Sequence, residues 1–291
     1  MGGYSEEREV SLSTGAEVIR ACEILGYNFI NMTFNENYKK FKKEMHSCDI
    51  IFNALHGGIG ENGEIQKWME QNNIRYTGSG SKSSSICMDK SKTKIIATDI
   101  GIRTPAWTVI NSNRSNINYD APFVVKPNNG GSTFGLTIVE KEADLKMAFS
   151  KAYQNSEEVI IEKYIKGREL TVTILDYKAY PIIEIKPSHK IYDFECKYTN
   201  GLTDYVCPAS LENSLAFKIR KDSERLFRVL GCKIYSRADY ILDEKGDYYF
   251  LEMNTLPGMT PTSLTPKSVQ ETGMSFEKLI ENIIMSSLKC R

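Results

Sequence analysis

Tyr235-Ser-Arg-Ala-Asp-Tyr-Ile-Leu-Asp-Glu-Lys-Gly-Asp-Tyr-Tyr-Phe-Leu-Glu-Met-Asn254 contains two runs rich in aromatic and aliphatic residues on either side of Asp243-Glu-Lys-Gly246. That arrangement reads as a β-hairpin. With four residues in the turn, Arg237 faces Glu252 and Asp239 faces Phe250. Side chains alternate with period two, so Arg237, Asp239, Phe250, Glu252 and Asn254 share one face, with Asp239 and Glu252 as diagonal neighbours. Two carboxylates and an amide oxygen on one face repel unless a cation lies between them. An all-oxygen set suits Mg²⁺, which completes its octahedron with water and phosphate oxygens. An exposed hairpin whose polar face meets water is the competing reading. A slip of one residue would send the two strands' polar sets to opposite faces and remove the cation site.

Segments to the N-terminal side supply positive charge and small residues. Phe123-Val-Val-Lys-Pro127 is a strand ending in a lysine, and Asn128-Asn-Gly-Gly-Ser-Thr-Phe-Gly135 follows it. Glycines let backbone N–H groups approach phosphate oxygens, and Ser132 and Thr133 add hydroxyl donors. No Gly-Lys-Ser/Thr follows, so this is not a Walker loop; a hairpin with a two-residue Asn-Gly turn is the plainer alternative. Lys90, Lys126 and Lys197 together neutralise a triphosphate, although each alone also reads as a solvated surface charge. Ile160-Ile-Glu-Lys-Tyr-Ile-Lys-Gly-Arg-Glu169 offers backbone groups and carboxylates at a hinge, or is simply a strand and turn. Of the histidines at 46, 56 and 189, only His56 ends an apolar run and precedes two glycines, as a ligand-contacting or a structural histidine would in an α/β lobe.

The chain has 291 residues, enough for two or three lobes. Its 37 basic and 37 acidic residues cancel, which gives no electrostatic reason to expect nucleic acid or an anionic membrane as partner. Seven scattered cysteines without a C-x-x-C pair argue against a disulfide framework or a structural zinc site. No apolar run has membrane-spanning length, and the expectation is a soluble cytoplasmic protein. Residues 13–25 and 63–72 carry helical periodicity, while 27–32 and 49–55 read as strands, an alternation typical of an α/β lobe. The sequence opens Met1-Gly-Gly-Tyr-Ser5, a glycine turn of the kind that follows a strand, with no strand before it. Met1 is then an internal methionine or the start of a protein that lacks that strand. A chain extended upstream is expected to be more stable or more active, because a central strand buries side chains at about 1.5–3 kcal/mol each. Further on come a lysine-rich helix (Lys90, Lys92, Lys94), strands at 122–126 and 136–139, and a helix at 142–153. Strands at 169–175, 180–186, 235–242 and 247–253, with helices near 213–230 and 275–287, complete the chain. The weakly periodic stretch 188–211 reads as a lid.

Together these segments resemble the D-alanine–D-alanine ligases of the ATP-grasp superfamily. The resemblance rests on Gly2-Gly-Tyr-Ser-Glu-Glu-Arg-Glu-Val-Ser-Leu12, Ala54-Leu-His-Gly57, Tyr76-Thr-Gly-Ser-Gly80, Met88-Asp-Lys90, Val125-Lys-Pro127 and Gly131-Ser-Thr133. It continues through Glu195-Cys-Lys-Tyr198, Cys207-Pro-Ala209, Arg237-Ala-Asp239 and Leu251-Glu-Met-Asn-Thr-Leu-Pro-Gly-Met-Thr260. These run in family order over essentially the whole chain. The resemblance implies an α/β, Rossmann-like N-terminal lobe (1–80), here without its first strand. A two-lobe ATP-grasp fold of α+β character follows, with a central lobe (81–162) and a C-terminal lobe (163–291) that carries the lid near 188–211.

The resemblance also implies roles. Lys90, Lys126 and Lys197 correspond to lysines on the ATP phosphates, with Thr133 beside them. Glu162, Ile165 and Glu169 correspond to the adenine and ribose contacts. Asp239, Glu252 and Asn254 correspond to ligands of two Mg²⁺ ions, replaceable by Mn²⁺. Arg237 is similar to the arginine that stabilises the oxyanion, and Glu7, with Ser132 and Tyr198, to the group that holds the first substrate's ammonium beside His56. Ser263 and Leu264 match the positions that bind the second substrate's carboxylate. A tyrosine at 198 accompanies dipeptide rather than ester formation in this family. The implied partner is D-alanine, in a homodimeric cytoplasmic enzyme of peptidoglycan synthesis. Two alternatives stay open: a ligase with D-lactate or D-serine as acceptor, and a non-catalytic nucleotide binder. The joint presence of Lys126, Arg237, Asp239, Glu252 and Asn254 speaks against the second.

Overall fold

Among the described residues, apolar runs bounded by proline, glycine or charge form ten strands. They are β1 (Trp107–Asn111), β2 (Phe123–Pro127), β3 (Thr137–Val139), β4 (Glu158–Lys163), β5 (Gly167–Leu175), β6 (Lys178–Ala179), β7 (Ile183–Pro187), β8 (Thr203–Val206), β9 (Tyr235–Asp243) and β10 (Tyr248–Asn254). The structure, a computed structural model, describes residues 1–111, 121–189, 192, 194–199, 201–260 and 262–290; of Asn111, Phe194 and Tyr198 it describes the backbone alone.

The first four strands make one antiparallel sheet in the order β1-β4-β2-β3. Val125, Val139, Val159 and Ile161 lie on its inner face against Ala148 and Ala152 of the helix Leu145–Tyr153, all fully buried. The other strands make a six-stranded sheet, β10-β9-β5-β7-β8 with β6 on β5. Its inner face (Leu170, Val172, Ala238, Tyr240, Phe250) packs on Ile219, Leu226 and Phe227 of the amphipathic helix Asn213–Val229. The outer faces of the two sheets look at each other across a cleft, as period-two alternation requires. In β9, Arg237, Asp239 and Ile241 point into this cleft while Ala238, Tyr240 and Leu242 point into the core.

The N-terminal part is a helical layer. Val18 and Cys22 of the helix Arg8–Ile24 pack in one cluster with Ile280 and Ile283 of the helix Phe276–Lys289. The expected strands at 27–32 and 49–55 do not form ladders: only the isolated parallel bridges Gly2↔Phe34 and Ile51↔Tyr76 occur there among the described residues. A parallel strand gains its bonds from neighbours on both sides, and an apolar cavity of about 630 Å³ separates these two runs. Within 188–211 the described residues include regular structure that the weak periodicity does not suggest. This is the short helix Phe194–Tyr198 and β8, which pairs with β7. All seven cysteines are free thiols, and among the described residues no helix is long and apolar enough to cross a membrane.

Candidate active site

The hairpin of β9 and β10 sets out the site, but not in the expected register. Asp243 N–H donates to Asp247 O at 2.9 Å, so the loop is the three residues Glu244, Lys245 and Gly246, with Gly246 in the left-handed region at φ +84°. Near the turn, Phe250 therefore pairs with Tyr240 rather than Asp239. Continued to the end, that register would turn Glu252 and Asn254 toward the core. A bulge at Leu251 prevents this: Glu252 pairs with Asp239, Met253 with Ala238 and Asn254 with Arg237. Asp239 and Glu252 are thus direct partners, Asn254 rather than Glu252 is opposite Arg237, and Phe250 is a core residue, fully buried against Tyr240. Leu251 and Glu252 both line the cleft.

Arg237 grips Asp239 with two bonds, Nε to Oδ1 at 2.9 Å and Nη2 to Oδ2 at 2.8 Å, and Thr171 Oγ1 donates to Oδ1 at 2.6 Å. Glu252 Oε2 is 3.3 Å from Lys90 Nζ. Burial pushes the Glu252 carboxyl up, but Lys90, Lys126, Lys197 and Arg237 outweigh it and hold the group at about 2. Asn254 Oδ1 accepts from Leu256 N–H at 2.8 Å. Glu169, in the same cleft, is raised to about 7 by burial, with Asp239 and Glu252 adding to the rise.

The lysines are not surface charges. Lys90 and Lys126 are 8% and 5% exposed. Lys126 Nζ donates to Glu162 Oε1 at 2.5 Å, and Lys90 Nζ to Gly130 O at 2.6 Å. The loop after β2 runs from Asn128 to Leu136 and is not the two-residue Asn-Gly turn. Positive φ occurs at Gly130, Gly135 and the non-glycine residues Ser132 (+51°) and Thr133 (+66°), a conformation that costs about 1–3 kcal/mol per non-glycine residue and collects at functional sites. Lys197 Nζ reaches Thr133 Oγ1 at 2.9 Å, and Thr133 Oγ1 donates to Tyr192 O at 2.9 Å. Tyr192 and Lys197 therefore lie against the loop. Burial pulls the Lys197 ammonium below its ordinary range.

Glu7 immediately precedes the helix Arg8–Ile24, and Ser132 Oγ donates to its Oε1. Burial, reinforced by the negative charge of Glu61, raises the Glu7 carboxyl. A Cβ on Gly57 (φ +63°) would stand 2.6 Å from Glu7 Oε2, so only glycine fits there. His56 is buried; Thr14 Oγ1 lies 2.9 Å from its Nε2, and Glu61 Oε1 lies 3.8 Å from its Nδ1. Ser263 immediately precedes the helix Leu264–Gln270; its Oγ accepts from Thr260 N–H at 3.1 Å and lies 2.8 Å from Thr260 Oγ1. The side chain of Tyr198 lies outside the described residues.

Two residues were missed by sequence reasoning. Glu61 accepts from Gly57 N–H at 3.0 Å, and nothing in Gly60-Glu-Asn62 marks it. Lys94 is fully buried with its Nζ 2.8 Å from Glu162 Oε2 and 3.3 Å from Thr104 Oγ1. Its signal was available: Lys90, Thr93, Lys94 and Ala97 are the buried stripe of the helix Lys90–Asp99, while Ile95 faces out. Glu162 is held at about 2 because Lys126 and Lys94 outweigh the upward push of its burial. Its Oε2 faces the Lys94 ammonium at 2.8 Å.

Two cavities meet at this cluster. One, about 390 Å³, lies between the sheets and is lined by Val124, Leu136, Ile138, Glu162, Ile165 and Glu169. The other, about 780 Å³, extends to Glu7, His56, Ser132, Asn254, Ser263 and Leu264. Lys90, Tyr192, Lys197, Arg237 and Glu252 line both. Positive charge at the junction of an apolar-walled slot and a polar chamber suits transfer of an anionic group from one to the other.

A family model described as D-ala D-ala ligase C-terminus matches residues 97–285, and one described as D-ala D-ala ligase N-terminus matches residues 26–79. The chain is 38% identical to the D-alanine–D-alanine ligase of Halalkalibacterium halodurans, over 99% of this chain and 97% of that one. To that of Trichlorobacter lovleyi it is 41% identical, over 99% and 93%. The solved structure of the Bacillus anthracis D-alanine–D-alanine ligase complexed with ATP superposes with a TM-score of 0.85 at 36% identity, covering 99% and 96%. The D-Ala:D-Ser ligase of Enterococcus faecalis superposes with a TM-score of 0.84 at 25% identity, covering 99% and 97%. With both family models matched in order and relatives of this similarity over nearly its whole length, the chain belongs to the D-alanine–D-alanine ligase family.

Proposed function

We propose that this protein joins two D-alanine molecules into D-alanyl-D-alanine, with ATP as phosphoryl donor and ADP and phosphate as by-products, for peptidoglycan synthesis in the cytoplasm. The observation that carries this reading is the shared wall of the two cavities, where Lys90, Lys197, Arg237 and Glu252 border both the slot and the chamber. The slot suits a purine nucleotide: Val124, Leu136, Ile138 and Ile165 give it apolar walls, with the Glu162 carboxylate beside them. Glu169 then serves the ribose hydroxyls, and Lys90, Lys126, Lys197 and Thr133 the phosphates.

Asp239, Glu252 and Asn254 would hold two Mg²⁺ ions, or Mn²⁺ in their place. The set is all oxygen, as those ions require, and cation binding by Asp239 competes with its bidentate contact to Arg237. Bound there, the metals spread the charge of the transferring phosphoryl group. Glu7, aligned by Ser132, holds the first D-alanine's ammonium, so that its carboxylate can take the γ-phosphoryl group and become an acyl phosphate. Ser263 Oγ and the Leu264 N–H hold the second D-alanine's carboxylate, and its amine attacks the acyl carbon. Arg237 faces the oxyanion that forms, and phosphate leaves. The segment 188–211 excludes water. Tyr198 favours an amine over a hydroxyl as the nucleophile, the lobes divide near residues 80 and 162, and the active form is a homodimer.

Phosphate release measured with D-alanine, L-alanine and D-lactate tests the reading. Release that depends on ATP and D-alanine, is absent with L-alanine and is not diverted by D-lactate at neutral pH is expected. ATP binding without D-alanine-dependent release would make the protein a nucleotide binder instead.

A further inference from the structure

Two thiols meet where the helix Ser81–Met88 passes the turn that follows the helix Asn213–Val229. Cys87 Sγ lies 3.8 Å from Cys232 Sγ, and Ser83 Oγ, one turn earlier on the same helix as Cys87, donates to Cys232 Sγ at 3.5 Å. Both cysteines are buried in one core cluster with Ala97, Leu226 and Leu230. They differ in access: Cys87 lines the chamber of about 780 Å³ beside Met88 and Lys90, and Cys232 stands behind it. The hydrogen bond from Cys87, and then that from Ser83, hold the Cys232 thiol below its ordinary range against the push of burial. Both segments lead straight into the active site, for Lys90 follows Cys87 by three residues and Arg237 follows Cys232 by five.

We propose that Cys87 and Cys232 are an oxidative modification site, a dithiol that a small hydroperoxide entering the chamber converts reversibly to a disulfide, slowing turnover while the bond lasts. Cys87 attacks the outer oxygen of the hydroperoxide as its proton passes to Cys232. An S–O bond forms, the O–O bond breaks, and the alkoxide or hydroxide that leaves takes a proton from water. Cys232 sulfur then attacks Cys87 sulfur, and the hydroxyl departs with the Cys232 proton as water. In sum two thiols and one hydroperoxide give a disulfide, an alcohol or water, and water. A disulfide holds its sulfurs about 2 Å apart, so the pair must close by about 1.8 Å from the present 3.8 Å. Close packing leaves no room for this beside the thiols alone, and the helix end at Met88 is drawn toward residues 230–234. A displacement of about 1 Å near the reacting groups costs on the order of 10²-fold in rate. Lys90 is tied to Gly130 O and faces Glu252, which limits its shift, and a loss of about tenfold is expected.

The full chain is exposed to hydrogen peroxide, quenched, digested with trypsin without reduction and read by mass spectrometry. Peptides 83–90 and 229–233 should appear joined, lighter by two hydrogens than their sum. D-alanine-dependent phosphate release should fall about tenfold in step with the joined peptide, and dithiothreitol should reverse both changes. Cys232→Ser should release phosphate like the parent before and after peroxide, give no joined peptide, and carry Cys87 as sulfinic acid. Cys87→Ser, also without the joined peptide and also insensitive to peroxide, serves if the first variant misfolds. Failure of the two peptides to join while the exposed Cys290 becomes oxidised overturns the proposal. So does a joined peptide with unchanged release, or an equal loss of release in parent and Cys232→Ser, which would place the damage elsewhere. The joined peptide is read without substrate, whereas the slowing rests on the function proposed above. A parent that releases no phosphate before peroxide would therefore count against that function and not against the dithiol.

Discussion

Replacing Glu162 by glutamine removes one negative charge from between two lysines with almost no change of shape. Lys126 and Lys94 stand 2.5 Å and 2.8 Å from its two oxygens, and both are buried. The carboxyl sits at about 2 rather than 4.5. At about 1.4 kcal/mol for each tenfold change in acid constant, that contributes about 3 kcal/mol at neutral pH. Loss of one partner from a buried ion pair falls in the same range, about 3–5 kcal/mol. The sign follows from the depressed acid: its stabilisation is complete above pH 4.5 and is lost as pH falls toward 2. The gap between the parent and Glu162→Gln should therefore be constant from pH 7 to about 5 and shrink below 4.5. Urea unfolding, followed by the fluorescence of Trp68 and Trp107 at pH 7, 5 and 3.5, measures it. A loss under about 1 kcal/mol at pH 7, or an equal loss at pH 3.5, would refute the view that the two lysines are held through this carboxylate.

Arg237→Lys keeps the charge but loses the two-point contact with Asp239; steady-state kinetics should show kcat reduced by about 10²–10³-fold, and a drop under tenfold would remove Arg237 from the oxyanion. Glu7→Gln should abolish D-alanine turnover yet leave Tm at pH 7 unchanged or higher. The raised Glu7 carboxyl stabilises the fold only below its ordinary range and loses that contribution as pH rises through its folded value, so a fall in Tm at pH 7 would contradict the sign. Deleting Leu251 removes the bulge but leaves Asp239 opposite Glu252. D-alanine-dependent phosphate release should survive with KM for ATP raised about tenfold through the lost wall contact, and complete loss of ATP binding would show that the register did not heal.

Much of this site is legible from local patterns. Alternation along 235–242 and 247–254 identifies the hairpin, and the Lys126–Ser132–Thr133 run identifies a polar loop. The register was not legible, because a three-residue loop and a bulge at Leu251 each shift the pairing by one residue in the same sense and no glycine or proline marks the bulge. The polar face is nearly as expected because the two one-residue shifts add to two, which restores the period-two alternation. Burial of charge was not legible either: Lys94 lies in a lysine-rich helix that reads as solvated, and only Glu162, 68 residues later, explains its place inside. The runs 27–32 and 49–55 have strand composition, but a ladder requires a partner on the facing edge, and composition does not supply one.

The central claim is that the first D-alanine's carboxylate takes the γ-phosphoryl group before the peptide bond forms. D-alanine labelled with ¹⁸O in both carboxylate oxygens, turned over with unlabelled ATP, tests it directly by mass spectrometry of the released phosphate. An acyl phosphate carries one carboxylate oxygen as its bridge, and that oxygen departs with phosphate when the amine attacks, so the account predicts one ¹⁸O in each phosphate released. Unlabelled phosphate accompanying D-alanyl-D-alanine formation would contradict it.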